Sequence, residues 1–226
     1  MSKQEKTLVE KEVVRKQFWE LPVLQQKIQI INVVNDYHEG KKYIGDKADK
    51  IRFHSYMETF NEMMYNNQYT VSLKDDSMIF LFYEFDDDNN IAGHSLTYLP
   101  NFLVDTEQKK ERVSDDAEDE EIDFKQLHRR ISNFVRVDFE EVGNKEYYHS
   151  LIHMHIGTER NALRIPIEHC VLPFEFMFFV LKYIYHLPDE ELIDLEFKMS
   201  RNSMLTENEK RKLKLVFSNC VVLSKD

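Results

Sequence analysis

The sequence predicts an α+β fold in which an antiparallel, meander-type sheet packs against helices on one side. Apolar residues in the first third and near the end recur every three or four positions, which is typical of helices. Between them, apolar and polar residues alternate, which is typical of strands. Of the 226 residues, 42% are hydrophobic, enough to build a core. We expect one domain over residues 1–226, because neither half holds a complete set of layers.

The first third of the chain is predicted to form helices. Apolar residues follow helical spacing over 8–21, and Pro22 is expected to interrupt this helix because proline lacks the backbone N–H that a helix interior needs. The spacing over 24–34 allows a second helix, but the β-branched residues in it also allow a strand, and both alternatives stay open. Helical spacing returns over 57–65 and predicts another helix.

Short segments separated by polar turns predict the sheet. Their apolar residues alternate or cluster as in buried strands, and Asp, Asn and Gly residues lie between them. The predicted strands are residues 69–73, 78–85, 94–99, 131–139, 151–156 and 163–167. Pro173 then begins a predicted aromatic helix over 174–185, because proline is favoured in the first helical turn. Thr206 and Glu209 form a capping-box pattern that predicts a last helix ending near Phe217.

Residues 105–123 form an acidic insert between the two groups of strands. They hold ten acidic and three basic side chains, a local charge of −7. Because the whole chain carries −11, the other residues carry only −4. The insert has few large apolar residues whose burial would order it, so we expect a disordered or loosely held loop. It is either a solvated spacer or a contact for a partner protein.

Motifs that the sequence lacks exclude several classes of protein. It contains neither G-x-G-x-x-G nor G-K-[ST], which excludes enzymes that bind nucleotides through glycine-rich phosphate loops. Its two cysteines cannot build a disulfide framework or a zinc site alone. The first residues lack the apolar core of a signal peptide, and charges interrupt the most apolar stretch, 170–187. We therefore expect a cytoplasmic protein without a membrane partner.

Strand alternation places histidines on one face of the predicted strand 151–156. His153 and His155 share that face, with Cα atoms about 6.6–7 Å apart, and His149 joins them if the strand extends that far. Imidazoles at this spacing can bind one metal ion. The sequence therefore makes His149, His153 and His155 candidate ligands of a divalent metal, and it indicates no other cofactor.

The neighbouring strands add charged residues to the same face of the sheet. Arg136 and Asp138 alternate with apolar residues in one strand, and Arg164 does so in the next. Arginine binds phosphate through paired N–H donors, and histidine transfers protons near neutral pH. With His153 and His155, these three are candidate catalytic residues of a phosphoester-cleaving enzyme. The alternative is an ordinary polar face turned toward solvent, with Arg136 and Asp138 as cross-strand partners.

Three segments carry a family resemblance. The first is Ser77–Phe85 with Ser95–Pro100, the second is Val135–Phe139, and the third runs from His149 to Gly157 and continues through Arg164–Ile167 to Pro173. In this order they resemble a bacterial family known as domain of unknown function 2290, over residues 5–190. The resemblance implies a shared α+β fold and no particular activity. The acidic insert departs from the family pattern.

Two functions follow from these observations. We expect an interaction subunit of a bacterial multi-protein assembly that binds a partner protein or itself through the aromatic helix or the acidic insert. Analogy with accessory genes places that assembly in phage defence or in a toxin–antitoxin system. The alternative is the phosphoester-cleaving enzyme with a divalent metal. Because the charge outside the insert is nearly balanced, a local contact with nucleic acid is compatible with either function.

Overall fold

An antiparallel sheet of eight strands organises the part of the chain that the computed structural model describes, namely residues 10–24, 30–33, 42–45, 56–101, 134–140, 150–157, 163–192 and 204. The elements in chain order are α1 (Glu10–Leu24), β1 (Ile30–Val33), β2 (Tyr43–Ile44), α2 (Tyr56–Tyr65), β3 (Val71–Leu73), β4 (Met78–Phe85), β5 (Ile91–Leu99), β6 (Val135–Phe139), β7 (Ile152–Ile156), β8 (Leu163–Pro166), α3 (Pro173–Phe179), a π-helical segment (Val180–Ile184) and α4 (Asp189–Leu192). The predicted α+β class is confirmed. Within these ranges, no helix combines the length and apolar character needed to cross a membrane.

Strands β3 to β8 form a meander in which each strand pairs with the next one along the chain. The strand order is β1-β3-β4-β5-β6-β7-β8, and β2 pairs with the end of β4 that β3 does not cover. All of these pairings are antiparallel. The turn between β4 and β5 is closed by the Asn90 backbone N–H, which donates to Asp86 Oδ1 at 2.8 Å. The predicted antiparallel meander is therefore confirmed.

Helices α1 and α3 cover one face of the sheet. The buried side of α1 carries Val14, Phe18 and Leu21, which share one core with sheet residues such as Tyr83 and Leu96. The rings of Phe18 and Tyr83 meet edge to face, with centroids 6.2 Å apart. Burial of each large apolar side chain contributes about 1.5–3 kcal/mol. This apolar face therefore supplies much of the stability of the fold.

Helix α2 covers part of the opposite face, at the end formed by β3 to β5. Tyr56 and Phe60 of α2 share a second buried cluster with Met78 and Phe80 of β4. The Tyr56 hydroxyl donates to the backbone carbonyl of Pro100 at 2.6 Å. The sheet thus has the predicted helical layer, α1 and α3, on one face, and α2 also covers part of the other face. Beyond α2, this second face continues into the polar residues of β6 to β8.

Several elements differ from their predicted bounds. Helix α1 continues through Pro22 and ends at Leu24, because the proline ring removes a single helical hydrogen bond close to the helix end. The ambiguous stretch that follows contains the strand β1, which pairs with β3. Strand β5 begins at Ile91, three residues earlier than predicted. The acidic insert 105–123, residues 131–133 and the predicted helix over 206–217 lie outside the described residues.

The aromatic helix ends in a π-helical segment rather than continuing as an α-helix. After α3, the wider turn of Val180–Ile184 precedes Tyr185. The Tyr185 hydroxyl lies 2.9 and 2.8 Å from the two carboxylate oxygens of Asp75, in the turn between β3 and β4. A π-helical turn displaces later side chains from their α-helical positions. The segment therefore sets the direction in which Tyr185 points, and the aromatic spacing of the sequence did not predict it.

Asp75, Ser77, Tyr98, Asn101 and Tyr185 form what we call the Asp75 cluster. The Ser77 hydroxyl donates to Asp75 at 2.9 Å, and the hydroxyls of Tyr98 and Tyr185 lie 3.1 Å apart. Asn101 Nδ2 donates to the backbone carbonyl of Asp75 at 2.7 Å. Burial raises the pKa of Tyr185, so its hydroxyl keeps the proton that it donates to the carboxylate. The cluster therefore joins the turn between β3 and β4, the end of β5 and the end of the π-helical segment.

Candidate functional site

Polar side chains from four neighbouring strands form two rows across one face of the sheet. The first row contains Thr97, Arg136, His155 and Arg164, which are successive register partners in β5, β6, β7 and β8. The second row contains Ser95, Asp138 and His153, and the apolar Pro166 occupies the register position next to His153 in β8. Residues two apart in a strand share a face, so both rows lie on the same side. The structure therefore brings the five candidate catalytic residues to adjacent positions.

The Asp138 carboxylate accepts one hydrogen bond from the neighbouring strand β5 and one from its own strand β6. Ser95 Oγ donates to Oδ1 at 2.9 Å, and Arg136 Nε donates to Oδ2 at 2.7 Å. His155 Nε2 lies 3.6 Å from Oδ2. Asp138 is buried, whereas 35% of the Arg136 side chain is exposed. A buried carboxylate is costly unless it is paired and hydrogen-bonded, and Ser95 and Arg136 supply these partners.

The two histidines of β7 lie side by side in the interior, and with Ser95, Arg136 and Asp138 we call them the Asp138 cluster. His153 Nδ1 donates to the backbone carbonyl of Ser150 at 2.9 Å, which leaves the lone pair of the neutral ring on Nε2. The ring centroids of His153 and His155 are 4.6 Å apart, and the ring planes are inclined by 69°. His153 is 1% exposed and His155 8%. The alternative of a solvent-facing polar surface is therefore wrong for these two histidines and for Asp138.

Burial and neighbouring charges keep His155 neutral. Burial is the main cause that lowers the pKa of His155 to about 4. The positive charge of Arg136, and to a smaller extent His153 and Arg164, lowers it in the same direction, while Asp138 opposes the shift. His155 therefore presents a neutral imidazole near pH 7, which is the form that binds metals and accepts protons.

Part of the cluster has the composition of a metal site. Asp138, His153 and His155 each offer one ligand atom, and these atoms lie within 4.8 Å of one another. Two imidazole nitrogens and a carboxylate oxygen form a ligand set that metalloenzymes use. Of the predicted metal ligands, His153 and His155 thus lie together with Asp138. The third predicted ligand, His149, is outside the described residues.

Two residues of β5 belong to the rows, although the sequence patterns did not single them out. Ser95 donates to Asp138, and Thr97 is the register partner of Arg136. The Thr97 hydroxyl is buried and has no hydrogen-bond partner in the described part of the chain. The available signal was the polar alternation at Ser95 and Thr97, but its meaning depended on knowing that β5 pairs with β6.

The sequence that builds these rows matches a known protein family. The family described as "Uncharacterized conserved protein (DUF2290)" matches residues 16–217. The chain belongs to this family. The matched range includes β5 to β8 and therefore both rows, and it confirms the resemblance that the three sequence segments indicated. No curated protein and no solved structure matches the chain.

Proposed function

We propose that the chain cleaves phosphoester bonds, with the Asp138 cluster and Arg164 as its active site. The observation that supports this most directly is the first row, in which His155 lies between Arg136 and Arg164 on adjacent strands. Adjacent strands are about 4.8 Å apart, so both guanidinium groups are within reach of one phosphate near the His155 ring. Guanidinium groups donate paired hydrogen bonds to phosphate oxygens. Two cations beside a neutral imidazole favour an anionic substrate.

The proposed reaction is hydrolysis with balanced bond changes. Water attacks phosphorus and loses a proton, the bond from phosphorus to the ester oxygen breaks, and that oxygen takes a proton from solvent. With a phosphate bound at the first row, Asp138, His153 and His155 would lie beside it, and one of them would accept the proton of the attacking water. A metal ion held by these residues would supply Lewis acidity that lowers the pKa of that water. Arg136 and Arg164 stabilise the negative charge that increases in the transition state.

Hydrolysis assays with single-stranded RNA, single-stranded DNA and bis(p-nitrophenyl) phosphate test this proposal. The wild-type protein is assayed with and without Mn²⁺ or Zn²⁺, beside His155→Gln and Arg164→Gln. We expect wild-type cleavage of at least one substrate, a loss of about 100-fold or more in His155→Gln, and a higher KM in Arg164→Gln.

Matched control variants change the same residue types outside the rows. Arg15→Gln alters an exposed arginine of α1. His186→Asn alters an exposed histidine with a φ of 55°, a conformation that asparagine tolerates. Both are expected to keep the wild-type rate. No cleavage by the wild type, or equal rates in all variants, would overturn the proposal.

The outer face of α1 favours a second candidate function, that of an interaction subunit. Trp19 and Val23 are each 59% exposed, and residues four apart in a helix are neighbours on its surface. Adjacent exposed apolar side chains are typical of contact surfaces. The sequence predicts such a contact on the aromatic helix or the acidic insert, and a partner from a phage-defence or toxin–antitoxin assembly stays a prediction.

Sedimentation velocity over a range of concentrations tests this candidate. We expect the wild type to self-associate or to retain a partner through purification, and we expect the double substitution Trp19→Ser and Val23→Ser to weaken that association. A wild-type protein that stays monomeric and retains no partner would count against an interaction subunit.

A further inference from the structure

We infer that Asp138, His153 and His155 bind one divalent first-row transition-metal ion. One ligand atom from each residue lies within 4.8 Å of the other two. The inference deepens the proposed function by naming the cofactor of that centre, and its catalytic meaning rests on that function. Metal binding itself is measured without a substrate, so the two can fail separately.

The spacing of the three ligand atoms is close to what a bound ion requires. With metal–ligand bonds of about 2.0–2.2 Å, the ligand atoms around one ion lie roughly 3–4 Å apart. Side-chain rotations that move each atom by about 1 Å therefore suffice to bring the three atoms into bonding positions. Asp138 and His153 are register partners on the paired strands β6 and β7. The sheet thus holds all three ligands on two adjacent strands before any ion binds.

The donor atoms select the class of metal. Two imidazole nitrogens and one carboxylate oxygen suit Mn²⁺, Fe²⁺, Co²⁺ or Zn²⁺, whereas Mg²⁺ and Ca²⁺ prefer oxygen ligands. Three protein ligands leave coordination positions open for water or for a phosphate oxygen. The ligand set is therefore that of a catalytic metal site rather than a closed structural one.

Neighbouring groups orient two of the three ligands. A backbone carbonyl accepts the Nδ1–H of His153 at 2.9 Å, which directs its Nε2 lone pair away from the backbone. Ser95 and Arg136 donate to the two oxygens of Asp138 at 2.9 and 2.7 Å. Metal ligands commonly have outer partners of this kind, which fix the histidine tautomer and the carboxylate orientation. The arrangement is preorganised for an ion.

The two arginines of the first row are compatible with a bound cation. Arg164 is exposed to water, and Arg136 is paired with the Asp138 carboxylate at 2.7 Å, which offsets its positive charge. Their charge favours an anionic ligand, hydroxide or phosphate, in the open coordination positions. The buried Thr97 hydroxyl, which has no partner among the described residues, lies in the same row. A metal-bound water or phosphate oxygen would give it a hydrogen bond.

Titration of chelator-treated wild-type protein with Co²⁺ and Zn²⁺ tests the inference. We expect one equivalent to bind, together with the visible absorption of Co²⁺ in a nitrogen and oxygen environment and a higher Tm. We expect Mg²⁺ in large excess to leave the bound ion in place. The inference would be overturned if the wild type shows no saturable binding, or if Mg²⁺ binds as tightly as Co²⁺.

Variants assign the binding to the three residues. Asp138→Asn, His153→Gln and His155→Gln are each expected to weaken Co²⁺ binding by about 100-fold or more, whereas His186→Asn keeps the wild-type affinity. Equal affinity in all of them would overturn the site. Because loss of the buried Asp138 charge also affects folding, Ser95→Ala serves as a milder variant, with an expected loss of about tenfold. Circular dichroism verifies the fold of each variant.

Activity and binding together separate the inference from the proposed function. Bound Co²⁺ or Zn²⁺ without cleavage of any phosphoester supports the metal site and overturns the proposed function. Cleavage by a protein that binds no metal supports the proposed function and overturns the metal site.

Discussion

The carboxylates of Asp75 and Asp138 each accept several hydrogen bonds, but from different kinds of neighbour. Asp75 accepts hydrogen bonds from the hydroxyls of Ser77 and Tyr185. Asp138 also accepts from a serine hydroxyl, but its other neighbours are the guanidinium of Arg136 and the imidazole of His155. The other groups of the Asp75 cluster are hydroxyls and an amide. The Asp138 cluster contains two imidazoles and a cation.

The two clusters also differ in their place in the chain. The bond from Tyr185 to Asp75 joins residues 110 positions apart, from a turn and from the end of a π-helical segment. The Asp138 cluster lies within three adjacent strands of one sheet. The first cluster therefore ties distant elements together, whereas the second holds ionisable groups in fixed positions on one sheet.

The largest expected difference between the two clusters is in the rate of phosphoester cleavage. His155→Gln is expected to reduce the rate of phosphoester cleavage by about 100-fold or more, equivalent to about 2.7 kcal/mol of transition-state stabilisation. Tyr185→Phe, in the Asp75 cluster, is expected to keep the wild-type rate. Steady-state kinetics on the best substrate measures both. Similar losses in the two variants would mean that the clusters do not differ in function.

The next largest expected effect is on stability and concerns the Asp75 cluster. Tyr185→Phe removes the hydroxyl that donates to Asp75, so the free energy of unfolding is expected to fall by about 2 kcal/mol. Tyr183→Phe changes an exposed tyrosine two residues earlier and is expected to stay within about 0.5 kcal/mol of wild type. Urea denaturation measures both. If the two variants were equally stable, Tyr185 would not tie the turn to the π-helical segment.

A matched pair of serines sharpens the comparison. Ser77 and Ser95 each donate to a carboxylate oxygen at 2.9 Å, one in each cluster. Ser95→Ala is expected to lower the free energy of unfolding by about 1 kcal/mol, and Ser77→Ala by about 2 kcal/mol, because Ser77 Oγ also accepts the Asn101 N–H at 2.9 Å. Only Ser95→Ala is expected to weaken Co²⁺ binding, as measured by titration. Equal metal affinity in both variants would contradict an orienting role for Ser95.

The smallest expected effect concerns a pair of buried threonines. Thr97→Val replaces a hydroxyl that has no partner in the described structure and is expected to raise the free energy of unfolding by up to about 1 kcal/mol. Thr70 Oγ1 accepts the Leu81 N–H at 3.0 Å, so Thr70→Val is expected to destabilise the protein by about 1 kcal/mol. Thermal denaturation compares the two, and a loss in Thr97→Val would indicate a hydrogen bond at Thr97.

Local patterns were sufficient to predict much of the sheet. The alternation around Arg136 and Asp138, and that around His153 and His155, predicted which residues of each strand share a face. The structure confirms the antiparallel meander that makes these faces continuous. The catalytic and metal-binding roles of these residues stay predictions, because side-chain pattern defines a face but not the reaction on it.

Features that depend on contacts between residues distant in the sequence could not be predicted from these local patterns. Ser95 joins the cluster only because β5 pairs with β6, although 35 residues separate Leu99 from Val135. The aromatic spacing after Pro173 fits an ordinary α-helix, and the π-helical turn is apparent only with the contact from Tyr185 to Asp75. The sequence likewise predicts the helix α2 but not the face of the sheet against which it packs.

The π-helical segment ties the number of residues in this part of the chain to the direction of Tyr185. If Val180–Ile184 continued as an α-helix with the same number of residues, each later side chain would be rotated by about 100° around the helix axis, and Tyr185 would point away from Asp75. Deletion of one residue removes this excess, because a π-helical hydrogen bond spans one residue more than an α-helical one. Such a deletion is therefore expected to be tolerated only where the segment becomes α-helical and Tyr185 keeps its contact with Asp75.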